Sequence, residues 1–254
     1  ISFNIRKKEK KKDQVNLNVG AGRYEIEGFK SLDIYTPHYY KNKESFLKQR
    51  IEYDIRTNSI PFKDNSVDNI YISHVLEHVE NKYVINFIKE SFRVLKKRGV
   101  LRIACPDSEF LFQVSQFDNS HWDWRINSLS NKKRFMTNWS DVSQYDFLLR
   151  ELSTPKMRFY KNRIDNKLIE IENAKKLSYE ELCEELKKDL KFRADHPGDH
   201  INNWDFERIK KIAISNGFAH VIRSKHRSSV VKEMRGKDFD KSHPYMSLYV
   251  ECVK

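Results

Sequence analysis

Two glycines with one residue between them, Gly20 and Gly22, close the apolar run LNVGAG, and acids follow at Asp33 and Asp54. A glycine pair after such a run marks a turn where the backbone comes close to a ligand, most often a nucleotide. A triphosphate loop needs a lysine placed to reach the outer phosphates, and Gly20 opens no such run. A dinucleotide turn needs a third glycine, and that position is Glu25, a carboxylate where pyrophosphate would lie. S-adenosylmethionine carries no phosphate, and its sulfonium and amino cations tolerate nearby acids and carbonyls. Asp33 is suited to accept from both ribose hydroxyls, and Asp54 to accept from the adenine amine with Ile55 as an apolar wall.

A second group is His74, Glu77 and His78, formally the inverted zinc-protease spacing H-x-x-E-H. That chemistry needs both histidines on one helical face and a further distant ligand, whereas this motif directly follows a strand. No metal is therefore expected. Two readings stay open for His74: a catalytic base at the tip of the strand, or, with His78, a structural cap of the following loop. Asp107, after "CP", either touches an acceptor or caps the next helix. His196, Asp199 and His200, in "DHPGDH", either close over an acceptor or form a Pro-Gly turn. Cys105 precedes a proline, but the fourth strand lacks a Pro-Cys pair, so Cys105 reads as core and not as a nucleophile. Trp122, Trp124, Phe135 and Trp139 stand amid Arg125, Lys132, Lys133 and Arg134. That mixture suits either a nucleic-acid surface or a small helical core with a solvated basic face.

The elements that must position these residues follow from periodicity. Strands are predicted at 15–19, 31–34, 51–55, 67–73 and 100–105, and an amphipathic helix at 81–97 with Val84, Ile85, Ile88, Phe92 and Leu95 inward and Gly99 as its stop. Alternating strands and helices imply a parallel sheet covered on both faces. Ligands of such sheets bind beyond the carboxyl ends of the strands, so the acids converge on one crevice. The segment from Arg23 to Lys30 is short for a crossover helix, and a stunted one is expected. Residues 107–195 read as mostly helical; the clearest helix opens on a capping box from Ser178 to Glu181. A helix ending at Gly217 and two last strands, "AHVIRS" and "MSLYVECV", complete the pattern.

With 254 residues and 39% hydrophobic content the chain can bury a sizeable core. Residues 1–14 read as a charged tail. No stretch suits a membrane span or a leader, and Cys105, Cys183 and Cys252 are scattered. A reducing, cytoplasmic setting is the expectation. The net charge of +12 suits nucleic acid or acidic partners, and equally a plain lysine bias.

In order, "LNVGAG", "SLDI", "DIRTNSIPFKDNSVDNIYISHVLEHV" and "FIKESFRVLKKRGVLRIACPD" resemble the class I S-adenosylmethionine-dependent methyltransferases, and most of all their type 11 branch. The resemblance covers about 15–105 and 200–253. It implies a doubly wound, mostly parallel seven-stranded Rossmann-like sheet in a single domain over 1–254, with a helical acceptor-binding insertion at 107–195. It also implies S-adenosyl-L-methionine as cofactor, held by Asn18, Gly20, Ala21, Gly22, Asp33, Ile34, Asp54, Ile55 and His74. Candidate catalytic residues are His74, Asp107 and His200. The family's frequent acid two residues before the first glycine is here Asn18. The implied acceptor is a small molecule or a sugar, including glycan precursors; RNA, or a non-catalytic binding role, is the alternative.

Overall fold

Successive strand residues point to opposite faces of a sheet, and here the two faces have opposite chemistry. A computed structural model describes residues 14–57, 59–117, 120–130, 142–160, 163–167 and 169–254. Its strands are β1 (Asn16–Val19), β2 (Phe29–Asp33), β3 (Ile51–Glu52), β4 (Val67–Ser73), β5 (Leu95–Pro106), β6 (Met157–Tyr160), β7 (Arg163–Lys167), β8 (His220–Arg223) and β9 (Ser247–Val253). Seven of them form one sheet in the order β3-β2-β1-β4-β5-β9-β8, while β6 and β7 pair separately. The pairs among β1 to β5 are parallel, and β9 runs antiparallel to β5 and β8. The seven-stranded, mostly parallel architecture expected from the sequence is thus present.

One face is apolar. Leu17, Val19, Ile70, Ile72, Leu101, Ile103 and Val250 share a core with Val84, Phe87 and Ile88 of α2 (Asn81–Val94) and with Ile209 and Ala213 of α8 (Phe206–Ser215). The alternate residues Asn16, Asn18, Asn69, Arg102 and Glu251 are just as buried but polar. Buried polar groups need partners, and these find them. Asn69 Nδ2 donates to Asn16 Oδ1 at 2.9 Å. Arg102 lies with Nη2 2.6 Å from Asp240 Oδ2 and Nη1 3.2 Å from Glu251 Oε1, all three side chains essentially inaccessible to solvent. Its guanidinium also donates to the carbonyls of Lys225 and Ser228. Beside this network Ile26, Tyr71, Val100, Met234 and Phe239 form a small apolar cluster.

Several local expectations are corrected. Only turns join β1 to β2, so the expected stunted first helix is absent; a short helix α1 (Lys43–Gln49) stands between β2 and β3 instead. β3 has only two residues, so Asp54 and Ile55 lie beyond it. α2 stops at Val94, five residues before Gly99, and the chain enters β5 at once. Gly99 serves close backbone approach: a Cβ there would lie 2.8 Å from the Lys96 carbonyl oxygen and 2.9 Å from that of Asp68. Arg98, not Gly99, takes the left-handed conformation, with φ 67°.

Between β5 and α8 the chain forms α3 (Ser108–Phe117), α4 (Asp123–Ser130), α5 (Gln144–Leu152), the β6–β7 hairpin that the helical expectation missed, α6 (Ile171–Ala174) and α7 (Tyr179–Lys187). The Ser178–Glu181 capping box is present at α7. A second apolar core, including Leu111, Trp122, Leu148, Leu152, Leu182 and Leu186, holds these helices together. Trp122 is 1% exposed and stacks on Phe147, and Arg125 is ion-paired to Glu151 at 2.7 Å, so both belong to this interior and not to an open basic surface. Lys132, Lys133, Arg134, Phe135 and Trp139 lie outside the described residues. No described helix is long and apolar enough to cross a membrane.

Removing Arg102 leaves two carboxylates buried without their cation. Arg102→Met should therefore lower unfolding free energy in urea by about 3–5 kcal/mol, and adding Asp240→Asn and Glu251→Gln should recover part of that loss. A loss below about 1 kcal/mol would mean the triad does not hold this face.

Candidate active site

β1, β2 and β4 end side by side, and their exits build the first half of the site. Gly20 has φ +65°, and a Cβ on it would lie 2.2 Å from Val75 Cγ2, where the chain leaves β4. This glycine is thus required by close strand-end packing as well as by its backbone. Gly22 has φ +56°, and a Cβ on it would meet nothing within 4 Å, so it borders open space.

The N–H groups of the glycine pair and of the residue between them are already engaged. Gly20 N and Ala21 N donate to the Leu32 carbonyl, and Gly22 N donates to Asp33 Oδ2 at 2.7 Å. Phosphate would find no donor among these three, in keeping with the sequence. Asp33 Oδ2 also accepts from the Tyr40 hydroxyl at 2.6 Å, while Oδ1 accepts from Ile34 N at 2.8 Å. Burial raises the Asp33 pKa, and the Tyr40 and Gly22 hydrogen bonds oppose that rise. Arg50 Nε donates to the Gly22 carbonyl at 3.1 Å, with its guanidinium 5.3 Å from the Tyr40 ring. Tyr40 and Arg50 clamp the turn and were missed in the sequence, because nothing in their spacing ties them to the glycines. Asn18 Nδ2 donates to the Tyr24 carbonyl at 3.2 Å, bracing the same turn.

A cavity of about 50 Å³ lies between the ends of β1 and β4, lined in part by Asn18, Gly20, Ala21, Tyr24, Ser73 and Lys241. With acceptors at Asp33 and Asn18, free space at Gly22 and no free N–H in the glycine pair, these strand ends fit S-adenosylmethionine in residue type and place. Asp54 departs from expectation. Its oxygens accept from Arg56 N, Nε and Nη2 at 2.8, 3.0 and 2.8 Å, and the guanidinium lies 3.8 Å from the Phe192 ring centre. The carboxylate expected to be open is therefore paired with a neighbour two residues away. Ile55 is packed into the central core and is not a crevice wall.

The second half of the site gathers around Glu77. His74, at the exit of β4, is held at φ +53°, uncommon for a side chain of its size. Its Nδ1 lies 3.0 Å from Glu77 Oε1, and its Nε2 is 2.9 Å from Ser247 Oγ. The residues at 199–204 return from the helical segment and bind this turn. Ile201 N and Asn202 N donate to the Glu77 carbonyl at 2.8 and 3.1 Å, Asn202 Nδ2 to the Val79 carbonyl at 2.9 Å, and Trp204 Nε1 to the Leu76 carbonyl at 2.9 Å. This brings His200 5.1 Å from His78, ring centre to ring centre. Burial pushes the His200 pKa down to about 4, as it does for His243, whose ring lies 5.7 Å from that of His74. Burial opposes ionisation of Glu77, but the imidazoles of His78, His74 and His200 prevail and hold its pKa at about 2. Trp124 of α4 completes this side, 6.0 Å from His243.

Of the other candidates, Asp107 Oδ1 accepts from Phe110 N at 3.2 Å in the first turn of α3, and Oδ2 lies 3.5 Å from Arg223. Asp199 pairs with Arg193 at 2.8 Å, and the exposed His196 with Asp195 at 2.9 Å. Cys105 is fully buried, and burial drives its thiol pKa well up.

The strand order is that of the Rossmann-like fold of class I S-adenosylmethionine-dependent methyltransferases. Over residues 30–103 the chain matches the family described as "Methyltransferase domain", and S-adenosylmethionine is its cofactor. Among solved structures it is similar to S-adenosylmethionine-dependent methyltransferases from Thermotoga maritima (13% identity, 94% of this chain and 82% of that one, TM-score 0.43), Archaeoglobus fulgidus (13%, 95% and 86%, 0.44) and Mesorhizobium loti (13%, 95% and 91%, 0.42). No curated protein matches the chain.

The two glycines should respond differently to alanine. Gly22→Ala should cost about 1 kcal/mol from backbone strain alone. Gly20→Ala should cost roughly 2–4 kcal/mol, because overpacking adds to strain, and Val75→Ala should restore part of that loss. Equal losses in chemical denaturation would refute the close-packing role of Gly20.

Proposed function

We propose that this methyltransferase transfers a methyl group to an oxygen or nitrogen atom of a small-molecule or sugar acceptor, glycan precursors included. The observation that carries the reading is the closure of the helical segment over the exit of β4. Trp124, Glu151 and His200 from that segment border the same buried polar site as His74, Glu77 and His243. A polar site walled by the returning segment suits a small hydroxylated or amino acceptor better than a polymer. S-adenosylmethionine supplies an electrophilic methyl group on a sulfonium. Asp33, through Oδ1, takes its ribose hydroxyls; Asn18 and the Gly20–Gly22 turn border its amino-acid end, where Lys241 is the nearby cation for its carboxylate. The chain contributes proximity and alignment, and His74 or His200 contributes a proton acceptor where the acceptor is a hydroxyl. The whole chain is read as one domain, with 107–195 as its acceptor-binding insertion. The buried, unpaired Cys105, Cys183 and Cys252 support a reducing compartment such as the cytoplasm.

S-adenosylmethionine or its demethylated product should raise the melting temperature, with about 2.7 kcal/mol of stabilisation at a hundredfold excess over Kd. Asp33→Ala should remove most of that effect. Stabilisation by a nicotinamide dinucleotide in its place would refute the cofactor assignment.

RNA is the competing acceptor. Charge alone produces weak binding at low salt, with about −0.9 in log–log slope per neutralised duplex phosphate and roughly −0.7 for single strands. RNA affinity should therefore collapse towards physiological salt. Methyl incorporation into RNA that persists at that salt, and disappears when Lys132, Lys133 and Arg134 are all replaced by Ala, would decide for RNA.

A further inference from the structure

The turn after β4 and the returning chain bring three potential ligand atoms together. Glu77, His78 and His200 each present one ligand atom, all within 4.8 Å of one another. His78 Nδ1 lies 3.0 Å from the Asp199 carbonyl oxygen, and His200 Nδ1 lies 2.6 Å from that of Glu151. A carbonyl only accepts, so each Nδ1 carries a proton, and in the neutral form of each ring Nε2 is the free lone pair. His78 Nε2 is 3.9 Å from Glu77 Oε1. Glu77 is 1% exposed, and its Oε2 has no hydrogen-bond partner among the described residues. Three electron-pair donors thus face one another, two half-buried imidazoles around a buried carboxylate. A lone buried carboxylate oxygen is costly, and a bridging water brings only two protons to three acceptors.

We propose that Glu77, His78 and His200 form a binding site for a divalent transition metal of the zinc, cobalt or ferrous class, with open positions for a hydroxyl-bearing acceptor. The ligand set is two imidazoles and one carboxylate, which favours these ions over magnesium or calcium. Bond lengths of about 2.0–2.2 Å require the three side chains to draw in by roughly 1 Å or less from their present spacing. The two carbonyls that hold the Nδ1 protons are the outer partners such imidazole ligands ordinarily have. His74, with Nδ1 3.0 Å from Glu77 Oε1, positions the carboxylate. The spacing H-x-x-E-H misleads only in its membership: the fold leaves His74 out of the trio and supplies the distant ligand as His200.

The choice of acceptor rests on the methyltransferase reading above. With the ion bound, His200 is a ligand and no longer the proton acceptor, and a hydroxyl bound to the cation loses its proton to solvent more readily. Its oxygen then forms the new C–O bond with the methyl carbon as the C–S bond breaks. The electron pair of that bond stays on sulfur, leaving a neutral thioether. This narrows the acceptor from oxygen or nitrogen to oxygen.

The test uses the full chain, stripped with a chelator and titrated with Co²⁺ and with Zn²⁺. The expected result is near one ion bound per chain, visible d–d bands for Co²⁺, and loss of both in His200→Asn and in Glu77→Gln. His196→Ala, which alters an exposed histidine outside the trio, should bind as the parent does and controls for adventitious histidine binding. Circular dichroism and S-adenosylmethionine-induced thermal shifts identify any variant that has lost its fold. If one variant unfolds, the other decides, together with the parent titration. Absence of a bound ion in the folded parent, or equal binding by a folded His200→Asn, overturns the metal site while leaving the cofactor reading standing. Loss of the S-adenosylmethionine shift in a parent that binds Co²⁺ instead overturns the methyltransferase reading. A metal-loaded enzyme that methylates only amines overturns the oxygen acceptor.

Discussion

The rest of the site depends on the four hydrogen bonds by which residues 201–204 dock on the carbonyls of Leu76, Glu77 and Val79. A tight turn at the end of a buried strand leaves carbonyls with no partner in the sheet, and each such group is costly if unsatisfied. The returning chain satisfies three of them at once. It thereby fixes where the long helical segment ends, seats Trp204 in the main core and sets His200 beside Glu77. The departure point is tied to the same place. Asp107 bridges Trp204, and Ser108 N and Oγ both donate to the Trp204 carbonyl. The helical segment therefore leaves and rejoins the sheet at one point, directly over β4 and β5.

Charge is distributed by the same logic. The apolar face of the sheet meets α2 and α8, and its strength is area removed from water. The opposite face carries Arg102 between Asp240 and Glu251, where both buried carboxylates have their cation and only the Arg102 Nε lacks an acceptor. Around Glu77 the local backbone divides the imidazoles: carbonyls face Nδ1 of His78 and His200, and only His74 turns Nδ1 to the carboxylate. The difference between the two networks lies in where each ring or guanidinium finds its acceptors.

The local signals were readable in the sequence. β4 appears over its predicted residues because "VDNIYIS" is a short run rich in β-branched and aromatic residues bounded by turn signals, and the α7 cap follows from serine and glutamate three apart. The glycine turn and Asp33 were legible for the same reason: strand, glycines and acid follow one another within a short stretch. The pairing of Asp54 with Arg56 lay in plain view but required knowing that the third strand stops early. The clamp from Tyr40 and Arg50, and the places of Glu151, His200 and His243, were not legible. They depend on contacts between distant segments, and a single histidine in "SHPY" carries no period or spacing. The β6–β7 hairpin was hidden because its residues lack the alternation that marks a half-buried strand.

The missing helix between β1 and β2 has a temporal consequence. The face it would have covered is closed instead by residues from the far end of the chain: Asp240 N donates to the Tyr71 hydroxyl across 169 positions of sequence, and Lys241 shares a cavity with Asn18 and Gly20. Contacts of such long range form late, after the loop entropy between them has been overcome. On the ribosome, β1 to β5 emerge with their buried polar side chains still exposed to water, and they stay so until residues 231–242 are made. The cavity between the ends of β1 and β4 is complete only once Asp238, Lys241 and Ser242 are in place, and a chain interrupted before them carries the glycine turn without that wall.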